Sequence, residues 1–242
     1  MKVRMYNVGF GDCFCLRDRK KSLLVDFGTN NSRIEGRPRR EIFDVIISDL
    51  STIKSKNLLL THFHMDHLSG LLYMMKKKDI SVDFGKIYLP DVFSKKEMSR
   101  TLVLLLLADL LKESGLPSRQ VSLFALVDAL LENKQNVELL SRGKLFENKY
   151  QALWPDTDVI RKETDEVYNR ICEDGKFKEV MDVLLEFAEK LRLIVWSMTA
   201  EGNKPAETVE KETDLTASEL TEQPEVRQKI IRAYVYEREF RR

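Results

Sequence analysis

The chain has 242 residues, 43% of them hydrophobic, with 40 basic and 39 acidic side chains. That is long enough to bury one good core and too apolar for a disordered chain, so a globular protein is expected. A formal net charge of +1 excludes a global electrostatic pull toward nucleic acid or anionic membrane, so any polyanion site has to be local.

In chain order, Met1-Lys2-Val3-Arg4-Met5-Tyr6 alternates apolar and polar residues and predicts a strand over 2–8, with no apolar segment of signal-peptide length. The cytoplasm is the expected compartment. Gly9 and Gly11 flank a place where backbone passes closely or takes positive φ. Asp12 follows, either to orient a loop or to make an Asx-turn. Strands are predicted over 13–17 and 22–27. Cys13 and Cys15 lie two apart and face one way, poor geometry for a disulfide; they read as small buried hydrophobes in a reduced compartment, with metal ligation as the lesser alternative. Asp26 closes an apolar strand just before Gly28, where it either braces a neighbouring loop or serves as a turn residue.

Arg33, Arg37, Arg39 and Arg40 surround Gly36 and Pro38 in what reads as a mobile loop, solvated in preference to phosphate-binding. A helix is predicted over 40–50 and a buried strand over 57–60. The chain's three histidines then fall within six residues, in Thr61-His62-Phe63-His64-Met65-Asp66-His67. In an extended segment His62 and His64 face the same way and can share a metal ion. A turn after Met65 brings Asp66 and His67 to a second ion. Imidazole with carboxylate suits zinc, and manganese and iron stay open. Leu68, Leu71, Leu72 and Met75 recur at helical spacing, predicting a helix over 68–77.

A strand is predicted over 86–89. Residues 94–135 read as helical, a pair over 95–135 broken at Leu116-Pro117-Ser118, for core packing first and a lid, dimer or protein-partner surface second. The longest apolar run, 102–111, is interrupted by Asp109 and too short for a bilayer, so no membrane is expected. Strands return over 136–155 and helical periodicity over 156–198, with Leu193-Ile194-Val195-Trp196-Ser197 the one later strand candidate. Residues 199–225 hold eight acids against Lys204 and Lys211 and read as a solvated, disordered linker. Residues 226–242 form a basic amphipathic segment.

The stretch from Thr61 to His67 resembles the signature loop of the metallo-beta-lactamase (MBL) fold hydrolases. In addition, Val8-Gly9-Phe10-Gly11-Asp12 with Leu23-Leu24-Val25-Asp26-Phe27-Gly28 is similar to the opening hairpin of the branch containing the competence-protein ComEC hydrolase domain. Tyr150-Gln151-Ala152-Leu153-Trp154-Pro155 resembles a strand closing the first half of that domain. The resemblance implies an α/β fold: residues 1–155 as the N-terminal half of an αββα sandwich, carrying a helical insertion and followed by a helical C-terminal region. It implies His62 and His64 on one zinc and Asp66 and His67 on a second, with Asp66 as catalytic carboxylate and Asp26 and Asp12 supporting the ligands. The implied reaction is hydrolysis of a phosphodiester or related bond, nucleic acid included, by a metal-activated water.

A complete fold of this family draws further histidine ligands from a second half. No histidine follows His67 here. The expectations are therefore an N-terminal portion of a longer hydrolase or a diverged protein, in either case with impaired catalysis by this chain alone. The alternative function is a non-catalytic binding or interaction module.

Overall fold

Three short strands open the fold in the computed structural model, which describes residues 1–18, 21–77, 83–113, 122–173 and 175–200. These are β1 (Lys2–Met5), β2 (Phe14–Asp18) and β3 (Lys21–Val25), paired antiparallel in sequence. After β3 comes a small hairpin, β4 (Arg33–Ile34) and β5 (Arg37–Pro38), then α1 (Arg39–Ser51). The arginine cluster is thus no mobile loop. Glu35 and Gly36 both take positive φ (49° and 78°), the geometry of a tight two-residue hairpin turn, and Arg33 donates to the Gly36 carbonyl from Nε at 3.1 Å and Nη2 at 2.8 Å.

The chain continues through β6 (Ser55–Leu59), α2 (Met65–Met75) and β7 (Ile87–Pro90). β3, β6 and β7 run parallel, with Val25 opposite Leu59 and Leu59 opposite Tyr88. Such strands deliver the segments that follow them to one carboxyl edge, where sites of open α/β sheets form. α2 begins at Met65, earlier than the expected 68, so Asp66 and His67 stand in a first helical turn. The helical dipole there favours the Asp66 carboxylate.

A 3-10 turn (Lys96–Met98), α3 (Ser99–Glu113), α4 (Ser122–Glu132), β8 (Val137–Leu140), the paired β9 (Leu145–Phe146) and β10 (Tyr150–Gln151), α5 (Thr157–Glu173) and α6 (Gly175–Ser197) complete the described chain. The main sheet runs in the order β1-β2-β3-β6-β7-β8. This is the mixed α/β architecture expected. Leu193 to Ser197 form the end of α6 and not a strand: Leu184, Ala188, Leu191 and Val195 keep the three-to-four spacing of one buried helical face.

By internal packing the described residues divide into two units, those of Met1–Pro90 with Ala129–Glu138, and those of Asp91–Asp128 with the described residues that follow Glu138. In the first, Ile42, Phe43, Ile46, Ile47 and Leu50 of α1 and Leu68, Leu71 and Leu72 of α2 are buried with Leu24 and Leu58 of the sheet. Phe27 is fully buried and meets the Phe43 ring edge-on at 5.2 Å. Cys13 and Cys15 are free and buried, as small core residues. Burial, then the neighbouring Cys15, pushes the Cys13 thiol well above its ordinary value. In the second unit α3, α5 and α6 pack together, tied by Arg100 to Asp165 at 2.8 Å and by the Arg100 guanidinium over the Tyr168 ring. No helix among the described residues is long and apolar enough to cross a membrane. The break at Leu116-Pro117-Ser118, residues 201–225 of the acidic stretch and the basic segment 226–242 lie outside the described residues.

Candidate metal centre

The site assembles where β3 and β6 end side by side. Asp26 directly follows β3, and its N–H donates to the Leu59 carbonyl at 2.8 Å, which extends the parallel ladder by one residue. Its backbone then turns into the left-handed region, with φ of 54°, a conformation an aspartate tolerates better than most side chains. The carboxylate is buried, 3% exposed, and accepts three hydrogen bonds. Thr61 N–H donates to Oδ1 at 2.8 Å, the Thr61 hydroxyl to Oδ2 at 2.7 Å, and His67 Nδ1 lies 3.0 Å from Oδ2. A side chain closing one strand thereby fixes the residue before the first histidine and the ring of the last.

Close backbone contact holds the other pieces. Phe27 N–H donates to the His67 carbonyl at 2.7 Å, and Gly70 and Leu71 N–H donate back to the Phe27 carbonyl at 2.8 and 3.1 Å. Ser69 and Thr29 exchange two further bonds, at 2.9 and 3.0 Å. Gly28 has to be glycine here, because a Cβ would sit 2.6 Å from the Asp66 carbonyl carbon and the Leu68 nitrogen. Gly11 is tighter still: its Cβ would come 2.3 Å from the Gly28 oxygen. That contact presses the loop before β2 onto the start of α2, where Asp12 N–H donates to the Asp66 carbonyl at 3.3 Å.

The predicted residues converge. The His62 ring centroid lies 4.9 Å from that of His64 and 3.7 Å from that of His67. His67 Nε2 is 3.7 Å from Asp66 Oδ2, while its Nδ1 is 3.0 Å from Asp26 and 3.7 Å from Asp12 Oδ2. Asp12, Asp26 and His67 each bring one ligand atom within 4.8 Å of the others, a grouping able to hold a metal ion. Two assignments thus compete for His67. Asp26 already accepts three hydrogen bonds in a buried position, and Nε2, 3.7 Å from Asp66 Oδ2, is the His67 ring nitrogen not engaged with it.

Electrostatics favours the neutral imidazole of His62. Burial, then the proximity of His67 and His64, lowers the His62 pKa below the ordinary histidine value despite Asp26 and Asp66 nearby. The donor set of imidazoles and carboxylates therefore suits a divalent transition-metal ion. Thr61 is the participant that sequence reading passed over: its hydroxyl touches both Asp26 and, at 3.0 Å, His62 Nδ1. Its position immediately before the histidine cluster is the one signal that could have marked it.

Residues 6–91 match the model of the metallo-beta-lactamase superfamily. A stretch of 77 residues is 32% identical to the endoribonuclease YSH1 of Mycosarcoma maydis, covering 32% of this chain and 8% of that protein. The chain thus matches a small part of that relative's length. No solved structure matches.

Proposed function

Taking residues 6–91 as a metallo-beta-lactamase superfamily segment, we propose that this chain is a metal-dependent hydrolase of phosphodiester or related bonds. The observation that carries the reading is the His67–Asp26 contact at 3.0 Å, in the same cluster that gathers the rings of His62 and His64. A histidine whose Nδ1–H is held by a buried carboxylate presents Nε2 in a fixed direction, the arrangement typical of metal-ligating imidazoles.

In this reading His62 and His64 hold one ion and Asp66 and His67 a second, zinc by preference. Bound metal supplies Lewis-acid polarisation of the scissile group and lowers the pKa of a water to about 7. The remaining work belongs to side chains of this chain. Asp66 orients the attacking water or takes its proton. Asp26 fixes the His67 tautomer and, through Thr61, the entry into the histidine loop. Asp12 adds negative charge beside His67. The histidines are ligands and not general bases, since a coordinated imidazole has no lone pair left for a proton. Two histidines are fewer protein ligands than a zinc site ordinarily uses, so the ion at His62 and His64 needs a further ligand from outside the set described. The likeness to an endoribonuclease supports a phosphodiester substrate.

The test is metal content. Purified full chain is expected to retain zinc or manganese near stoichiometrically, and the double variant His62→Ala/His64→Ala to lose at least half while keeping its circular dichroism. A folded, metal-free protein indifferent to those substitutions would overturn the proposal and leave a binding module.

A further inference from the structure

Phe10 is 80% exposed, an unusual position for a large aromatic side chain in an ordered loop. The loop around it is locked. Phe10 N–H donates to Asn31 Oδ1 at 2.7 Å, and its carbonyl accepts from Asn30 N–H at 2.8 Å and from the Thr29 hydroxyl at 3.2 Å. Gly9 before it takes φ of +70°, with space for a Cβ closed by Asn31 Oδ1 at 2.9 Å, and Gly11 after it lies against the Gly28 and Asp66 backbone. All polar backbone atoms of Phe10 are thus engaged while its ring stays in solvent.

Its surroundings indicate what the ring meets. Phe10 stands two residues before Asp12, a chain distance of at most about 7 Å, and Asp12 touches the metal loop. The hydrogen bonds that pin Phe10 run to residues 29–31, just before the β4–β5 hairpin, and Asn7 Nδ2 donates to Glu35 Oε1 in that hairpin's turn at 2.8 Å. That hairpin and the start of α1 present Arg33, Arg37, Arg39 and Arg40, all exposed, against the acids Glu35 and Glu41. An exposed aromatic ring two residues from Asp12, on a loop hydrogen-bonded to the segment that leads into an arginine-bearing hairpin, supplies the two elements by which single-stranded nucleic acid is held, base stacking and phosphate neutralisation.

We propose that Phe10 is a base-stacking residue, and the arginines of the β4–β5 hairpin and α1 a phosphate-binding strip, that together deliver single-stranded nucleic acid to the metal centre. The inference rests on the hydrolase reading for its substrate class, and it names the strand form and the residues that grip it. A duplex, whose bases are already stacked, leaves the Phe10 ring no partner.

The experiment uses full-length chain and fluorescein-labelled 12-nucleotide single strands of RNA and of DNA, with a duplex of the same length as control. Phe10→Ala is expected to weaken single-strand binding about tenfold without changing melting temperature or metal content, and Phe10→Trp to restore it. The added tryptophan fluorescence, read as the difference from the parent protein, is expected to be quenched by the single strand and not by the duplex. Arg37→Ala is expected to lower the salt slope of binding by about one. Equal affinity of Phe10→Ala and parent, binding of the duplex as tight as the single strand, no single-strand binding at all, or an unquenched Phe10→Trp at saturation would each overturn the proposal. Metal retention separates the two readings: a metal-loaded protein that fails these tests removes the stacking proposal alone, whereas a metal-free protein removes the hydrolase reading.

Discussion

His67 and Asp26 stand 41 residues apart in the chain, yet the Nδ1 of one lies 3.0 Å from the Oδ2 of the other, in a site where both are buried. Asp26→Asn keeps an oxygen for Thr61 N–H and tolerates the left-handed backbone, but it turns an N–H2 toward His67 and the Thr61 hydroxyl. Metal affinity is expected to fall about 10- to 100-fold with little change in fold, measured by competition with a chelator of known affinity. Asp26→Ala is expected to cost a further ~1–3 kcal/mol of stability, because it strands the buried His67 donor. Unchanged affinity in Asp26→Asn would mean that the contact does not orient a ligand.

Thr61→Val keeps shape and removes one hydroxyl that bridges Asp26 Oδ2 and His62 Nδ1. The expected loss is about 1 kcal/mol of stability, in line with one hydrogen bond, seen as a lower urea midpoint at constant m-value. Metal binding should weaken with it, since His62 loses its fixed neighbour.

Gly11→Ala inserts a methyl group 2.3 Å from the Gly28 carbonyl oxygen and 2.7 Å from the Asp66 oxygen, both rigid backbone. Overpacking of this kind costs about 1–3 kcal/mol. It also moves Asp12 and the start of α2 apart, so metal retention should drop more than in Gly175→Ala, where a Cβ meets nothing within 4 Å. Parallel metal analysis of the two variants checks the ordering.

The Tyr6 hydroxyl donates to Asp49, a carboxylate also held by Arg4 and Arg17 at 2.8 Å each. Burial first, then the bond to Asp49, raises the Tyr6 pKa well above its ordinary 10.0. The folded state therefore keeps a proton that the unfolded chain gives up. This contribution is fully present below pH ~10 and is lost as pH rises from there toward the folded value. Tyr6→Phe should flatten the alkaline loss of stability above pH ~10, read as the difference in denaturation midpoint between variant and parent at pH 8 and pH 10.5. Parallel pH profiles would remove Tyr6 from the linkage.

Much of the scaffold could be read directly. The strand assignments for β1, β2, β3, β6 and β7 follow from alternation and short apolar runs, and all of these but the fully exposed β1 bury residues of their own. The helices α1 and α2 follow from apolar spacing. The start of α2 was misplaced by three residues because Met65, Asp66 and His67 carry no helical pattern; backbone bonds to Phe27 and Asp12 hold that turn. The arginine segment looked loose because Gly36 and Pro38 signal a turn without revealing the two short strands around it. Leu193 to Ser197 looked like a strand because five apolar or small residues carry too short a period to separate the two, and packing of α6 against α3 decided for helix.

The sequence by itself determined the donor types, their spacing and the order of strand, histidine loop and helix, because these depend on neighbours a few residues away. Only the tertiary structure decided that Asp26 reaches Thr61 and His67, that Gly11 and Gly28 bring three backbones into contact, and that Phe10 is left in solvent. Each of those facts is a contact across more than 15 residues, or the lack of one. Side-chain chemistry along the chain does not encode such distances; the parallel pairing of β3 with β6 does.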